Sequence, residues 1–125
     1  MPHAMLPNPF KTKAAHLLQG ESAEDLAHPY LINQGLKPVQ RNFRCKHGEL
    51  DLIMLDQQAL VIVEVRFRKS DRYGSAAESV TAAKQSRIIA ATQVYLAQQA
   101  TDRAIRFDVV ALSGDGRLAW IKNAF

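Results

Sequence analysis

The sequence is short of cysteine and contains no long apolar run, and each shortage excludes a class of protein. The single cysteine, Cys45, cannot form an internal disulfide, and no CxxC pair or Cys/His zinc spacing occurs in the 125 residues. No apolar run approaches the ~20 residues of a membrane span. Prolines interrupt the first ten residues, where a signal peptide would need an apolar block. We therefore expect a cytoplasmic protein that does not enter a membrane.

The composition is that of an ordinary globular domain with a small positive charge. Hydrophobic residues make up 47%, and 16 Lys and Arg stand against 12 Asp and Glu, which gives a net charge of +4. Such a charge permits an anionic partner without proving one. Residues 1–19, which are rich in proline, are expected to form a flexible N-terminal segment. Residues 20–125 are expected to form a single domain.

The hydrophobic pattern predicts two helices and five strands. A helix is expected over 20–34, capped by Ser22, kinked or split at Pro29, and ended at Gly35. A second helix is expected over 80–99, where apolar residues recur at helical spacing. The strands are expected at 39–44, 50–55, 60–68, 105–112 and 118–122. This order predicts an α/β fold, a mixed β-sheet of about five strands flanked by helices.

The third predicted strand carries a carboxylate directly after an apolar run. Residues 60–63 are apolar on both faces, so we expect this strand to be central and covered on both sides. Glu64 follows, and an ionised carboxylate there needs a cation, a metal ion or a hydrogen-bond network. Arg66 lies on the same face two residues further on. Asp51, on the preceding strand, is at a similar distance from the connecting turn, so Asp51 and Glu64 should converge.

Two interpretations of this acidic pair are open. Neighbouring carboxylates repel each other unless one is protonated or a cation lies between them. Mg²⁺ typically binds one or two carboxylates together with waters and phosphate oxygens. Alternatively, Glu64 and Arg66 form an ion pair near the strand end, and Asp51 is a surface acid. The short pattern D…E-x-R does not decide between a metal site and an ion pair.

Four segments carry a resemblance to a known family: GELDLI at 48–53, VIVEVRFR at 61–68, GSAAESVT at 74–81 and RFDVV at 106–110. In this order they resemble the YraN family of small bacterial proteins. That family is similar to the PD-(D/E)XK nuclease superfamily, particularly to Holliday-junction resolvases and restriction endonucleases.

The resemblance implies a restriction-endonuclease-like fold and an endonuclease that uses Mg²⁺ or Mn²⁺ to hydrolyse phosphodiesters. Asp51 and Glu64 match the metal-binding acids of the superfamily motif. Glu24 matches an acid that often completes such sites, although an acid in the first turn of a helix also stabilises the helix dipole. The expected partner is nucleic acid, as structured DNA, and a homodimer is expected by analogy with the resolvases.

The sequence departs from the superfamily motif at Arg66, where the motif has lysine. An arginine stays charged and cannot act as a base, but its fork of donors still binds phosphate. Lys69 or Lys84 could supply the missing ammonium. The alternative function is therefore a catalytically impaired nucleic-acid-binding module.

Basic residues follow the acidic pair along the chain and predict a phosphate-binding surface. They are Arg68, Lys69, Arg72, Lys84 and Arg87. The alternative is that they form a solvated loop and a polar helix face without a ligand.

Overall fold

The structure, a computed structural model, describes residues 22–68 and 80–125. The predicted order of elements is confirmed in these ranges: α1 (Ala23–Asn33), β1 (Lys37–Cys45), β2 (Gly48–Asp56), β3 (Ala59–Arg68), α2 (Ala82–Gln99), β4 (Ile105–Ser113) and β5 (Leu118–Ile121). The predicted flexible segment 1–19 lies outside the described residues.

The five strands form one mixed sheet in the order β1-β2-β3-β4-β5. Strands β3 and β4 are parallel and pair from Leu60↔Ile105 to Arg68↔Ser113, whereas the other neighbours are antiparallel. The connection between the parallel strands contains α2, as a crossover between parallel strands requires. The predicted α/β fold with a five-stranded mixed sheet flanked by helices is thus confirmed.

The sheet is covered on both faces, as its third strand predicts. On one face, Val61 and Val63 of β3 belong to a core with Ala27 and Leu31 of α1. On the other face, the β3 side chains pack with residues of α2, in a core that includes Leu60, Ile62, Ile88, Ala91 and Tyr95. Because period-two alternation places successive side chains on opposite faces, a strand that is apolar at every position serves both cores.

Helix α1 begins and ends where capping residues predict. The Ser22 hydroxyl accepts a hydrogen bond from the Asp25 backbone N–H at 3.2 Å. At the other end, Gly35 has φ 101° and Leu36 N–H donates to Leu31 O, as in a Schellman motif. The predicted split at Pro29 is wrong, because α1 continues through it. Pro29 is exposed, and it lacks the N–H that would bond to the carbonyl four residues earlier.

Within the described ranges, neither helix has the length and apolar character needed to cross a membrane.

Candidate metal centre

Strands β2 and β3 separate at Asp51, and this separation makes room for a site. The last backbone pair of the two strands is Leu52↔Val63. Beyond it, the Asp51 Oδ2 atom accepts the Val65 backbone N–H at 2.9 Å. A side-chain oxygen therefore takes the place of a ladder carbonyl, and the Asp51 carboxyl is inserted between the two strands.

The Asp51 and Glu64 side chains meet there, as the antiparallel connection predicts. Glu64 is 4% exposed. Burial and the neighbouring Glu64 carboxylate raise the pKa of Asp51 to about 7. Burial also raises the pKa of Glu64, although Lys84 and a hydrogen bond with Asp51 oppose that rise. The pair therefore retains a proton to much higher pH than exposed carboxyls do.

Two cationic side chains contact Glu64 from different elements. The Lys84 Nζ atom lies 3.5 Å from Glu64 Oε1, and the Arg66 Nη1 atom lies 3.8 Å from the same oxygen. Lys84 reaches Glu64 from the first turn of α2, which begins after the Thr81 cap. Of the two lysines that could replace the motif lysine, Lys84 is therefore beside the acidic pair, and Lys69 lies outside the described residues.

Glu24 and Glu49 extend the acidic pair to a cluster of four carboxylates. One oxygen each of Glu24, Glu49 and Asp51 lies within 4.8 Å of the other two. Burial raises the pKa of Glu24, whereas a hydrogen bond from Arg44 lowers the pKa of Glu49. We call Glu24, Glu49, Asp51 and Glu64 the acidic cluster.

Sequence reasoning missed Glu49. Its signal was its position two residues before Asp51 in the same strand, since alternate residues of a strand share a face. Sequence reasoning also missed Asn42, whose Nδ2 atom donates to Glu24 Oε1 at 2.5 Å and to Glu49 Oε1 at 3.0 Å. No sequence pattern identified Asn42, because its partners come from α1 and β2.

The donor atoms and the charge of the acidic cluster suit a hard divalent cation. Carboxylate oxygens are the protein ligands that Mg²⁺ and Mn²⁺ prefer. Within residues 22–68 and 80–125, Arg44 pairs with Glu49, and Arg66 and Lys84 pair with Glu64. The four carboxylates lie close together, and the proton that Asp51 and Glu64 retain offsets part of their negative charge. A divalent cation could replace that proton.

The predicted phosphate-binding residues are only partly described. Arg68 ends β3, and Arg87 lies exposed on α2 one turn beyond Lys84. Lys69 and Arg72 lie outside the described residues. A role of these side chains in binding nucleic acid stays a prediction.

A second buried carboxylate, Asp108, belongs to the framework of the fold. It accepts hydrogen bonds from Nε and Nη2 of Arg106, from the Trp120 indole and from the Asn123 backbone N–H, all at 2.9–3.0 Å. Asp108 thereby joins β4 to β5 and the final turn. Its oxygens are fully used, so the buried charge is accounted for without a ligand.

Taken together, the fold and the site define an α/β protein with a carboxylate cluster where two central strands part. The comparisons identify the family. The family model described as "Uncharacterised protein family UPF0102" matches residues 23–112. The chain belongs to this family, which is the YraN family that the sequence resembles.

Curated relatives agree over nearly the whole chain. A UPF0102 protein of Saccharophagus degradans is 52% identical over 114 residues, which cover 90% of this chain and 96% of the relative. A UPF0102 protein of a Janthinobacterium species is 47% identical over 119 residues, which cover 95% and 96% of the two chains. The family resemblance drawn from the sequence is confirmed.

Proposed function

We propose that this protein is a divalent-metal-dependent endonuclease that hydrolyses phosphodiesters in structured DNA. The observation that carries the proposal is the contact of three groups: the Asp51 and Glu64 carboxyls, inserted between parting strands, and the Lys84 ammonium 3.5 Å from Glu64. Two acids and one lysine are the groups that the resemblance to PD-(D/E)XK nucleases requires. Here the lysine comes from a helix instead of from the position two residues after Glu64.

The residues that would hold the ion are Asp51 and Glu64, together with Glu24 and Glu49, which each bring an oxygen within 4.8 Å of an Asp51 oxygen. Mg²⁺ or Mn²⁺ suits these oxygens, and when bound it would acidify a water and offset charge on the phosphate. The Val65 N–H fixes one Asp51 oxygen, so the carboxyl group enters the site in a defined orientation. Such preorganisation limits the rearrangement needed when a substrate binds.

Lys84 and Arg66 have different tasks in this proposal. Lys84 has a compact ammonium with three donors, which can hold a water in place or exchange a proton with it. Arg66 is the permanently charged group, and its side chain is 39% exposed at the edge of the site. We assign to Arg66 the binding of a phosphate oxygen through its planar fork. In this proposal Arg66 occupies the position of the motif lysine, and Lys84 supplies the ammonium from α2 instead.

The alternative is a nucleic-acid-binding module that does not cleave. It is favoured by the two cations beside Glu64, because Lys84 and Arg66 both pair with this carboxylate and could neutralise the charge that a metal ion needs. Such a module would bind DNA through basic side chains, and its affinity would fall steeply as salt rises.

Cleavage of junction, flap and linear DNA by the full chain, with and without MnCl₂, tests the proposal. We expect Mn²⁺-dependent cleavage, and we expect Asp51→Asn and Glu64→Gln to lower it by about a hundredfold or more. Asp102→Asn is the matched control, because it removes an exposed acid from the loop that follows α2. Cleavage that survives in both site variants would overturn the assignment of the site.

Two further variants separate the nuclease from the binding module. Lys84→Arg keeps the charge but removes the group that can give up a proton, so cleavage should fall while salt-dependent DNA binding persists. Arg66→Lys should keep cleavage but weaken DNA binding. If the wild type binds DNA without cleaving it and Arg66→Lys gains cleavage, the binding module is the correct function. Sedimentation of the same samples tests the expected homodimer.

A further inference from the structure

Asn42 has a backbone conformation that is unusual for its place in the fold. Its φ is 55°, in the left-handed region that residues other than glycine seldom adopt, and asparagine is among the residues that tolerate it best. The other residues of this kind in 22–68 and 80–125 are Gln57, Ala100 and Asn123, which lie in turns or at a helix end. Asn42 lies in the interior of β1.

At this residue, the side chains of β1 change the face of the sheet to which they point. Residues two apart in a strand normally share a face, yet Arg41 bonds to Asp25 of α1 while Phe43 packs against Tyr95 of α2 on the opposite face. In the pairing of β1 with β2, Asn42 and Asp51 are the two residues left between the pairs Arg41↔Leu52 and Phe43↔Leu50. The reversal therefore lies at the same level as the separation of β2 and β3.

The Asn42 side chain links two acids that would otherwise repel each other. Its Nδ2 atom donates to Glu24 Oε1 at 2.5 Å and to Glu49 Oε1 at 3.0 Å, so both amide hydrogens are used. The link joins α1 to β2. A lysine or arginine could hold the same two oxygens, but it would add a positive charge beside the site. A neutral amide brings the carboxylates together and preserves their negative charge.

We propose that Asn42 is a positioning residue, which holds Glu24 and Glu49 in place around Asp51 for the divalent cation. This role rests on the proposed function. Asn42 itself contacts neither the ion nor the phosphate; it acts through the two carboxylates. Residues that orient metal ligands in this way typically contribute about ten- to a hundredfold to metal affinity.

Asn42→Gly tests the side chain apart from the backbone. Glycine adopts positive φ freely, so the strand reversal is kept and only the amide is lost. We expect Mn²⁺ affinity about tenfold weaker by calorimetry with MnCl₂, cleavage restored at saturating Mn²⁺, and an unchanged KM for DNA. Asn123→Gly is the matched control, because Asn123 has φ 53° but lies away from the acidic cluster. Its Mn²⁺ affinity should equal that of the wild type.

A double-mutant cycle shows whether Asn42 acts through Glu24. The Mn²⁺ affinity lost in Asn42→Gly and in Glu24→Gln should not add in the double variant, because both changes break one link. Should Asn42→Gly lower the urea midpoint, Asn42→Asp carries the test. Aspartate tolerates the same backbone but has no donor and repels the two acids, so kcat at saturating Mn²⁺ should fall.

The outcomes separate this inference from the proposed function. A wild type that binds no Mn²⁺ overturns both. A wild type that binds Mn²⁺, together with an Asn42→Gly variant of equal affinity or an Asn42→Asp variant of equal kcat, overturns the role of Asn42 alone. Additive losses in the cycle would likewise overturn it.

Discussion

Replacing Asp51 with asparagine should make the protein more stable, and it should abolish the cleavage proposed above. The Asp51 carboxyl accepts the Val65 N–H and shares a proton with Glu64. In Asp51→Asn, the amide oxygen can accept the same N–H, and the amide nitrogen can donate to Glu64 without a titrating proton. The variant keeps both hydrogen bonds and has no charge to bury.

The size of the gain follows from the pKa of Asp51. The fold raises this pKa from 3.8 to about 7, so the folded state keeps a proton that the unfolded chain loses. The contribution of Asp51 to the unfolding free energy of the wild type therefore falls as pH rises from about 4 to about 7 and is level outside that window. Three pKa units correspond to about 4 kcal/mol. Water retained at the half-buried carboxyl reduces the expected gain to about 2–4 kcal/mol.

Urea unfolding of the wild type and Asp51→Asn, across pH and in EDTA, measures this gain. The difference in unfolding free energy should be small near pH ~4 and largest above pH ~7. Asp102→Asn, an exposed control, should show no such growth. Saturating MgCl₂ should stabilise the wild type by about 3 kcal/mol at a hundred times its Kd and leave Asp51→Asn unchanged. A variant less stable than the wild type above pH ~7 would refute the reasoning.

Three other outcomes are expected. Mn²⁺ binding should release close to one proton near neutral pH and should tighten as pH rises, because the ion replaces the proton of Asp51 and Glu64. Calorimetry in buffers of different ionisation enthalpy measures this proton release, and equal heats in all buffers would contradict it. Asp108→Asn should lower the unfolding free energy, measured in urea, by about 3 kcal/mol, since an amide hydrogen would face the donors of Arg106 and Trp120. Trp120→Phe removes one of these donors, and a smaller loss of unfolding free energy in Asp108→Asn than in Trp120→Phe would argue against the hydrogen-bond network around Asp108. Gly35→Ala should cost about 1 kcal/mol because φ is 101°, and no atom lies within 4 Å of the added methyl group, so a much larger loss would require another cause.

The acidic pair was predictable because its geometry is local. Asp51 and Glu64 lie on strands joined by a short turn, and antiparallel pairing makes equal distances from a turn coincide in space. The two cores followed from the unbroken apolar run of β3 in the same way.

The rest of the site depends on relations that no local pattern contains. The approach of Lys84 depends on how α2 lies on the sheet after a long connection, and that of Glu24 depends on the direction of α1. Asn42 was missed for a different reason. Alternation assumes a regular strand, and this assumption fails at Asn42, where Arg41 and Phe43 contact opposite faces of the sheet.

The parallel pairing of β3 with β4 has a consequence for the order of folding. Strands β1, β2 and β3 are consecutive in sequence and joined by short turns, whereas β4 and β5 complete the sheet only after α2 has crossed it. Contacts between distant segments tend to form late, because closing a long loop costs entropy before the contact contributes favourable free energy. We therefore expect the strands that carry Glu49, Asp51 and Glu64 to pair before α2 brings Lys84 to Glu64, so that the acids meet before their ammonium partner is in place.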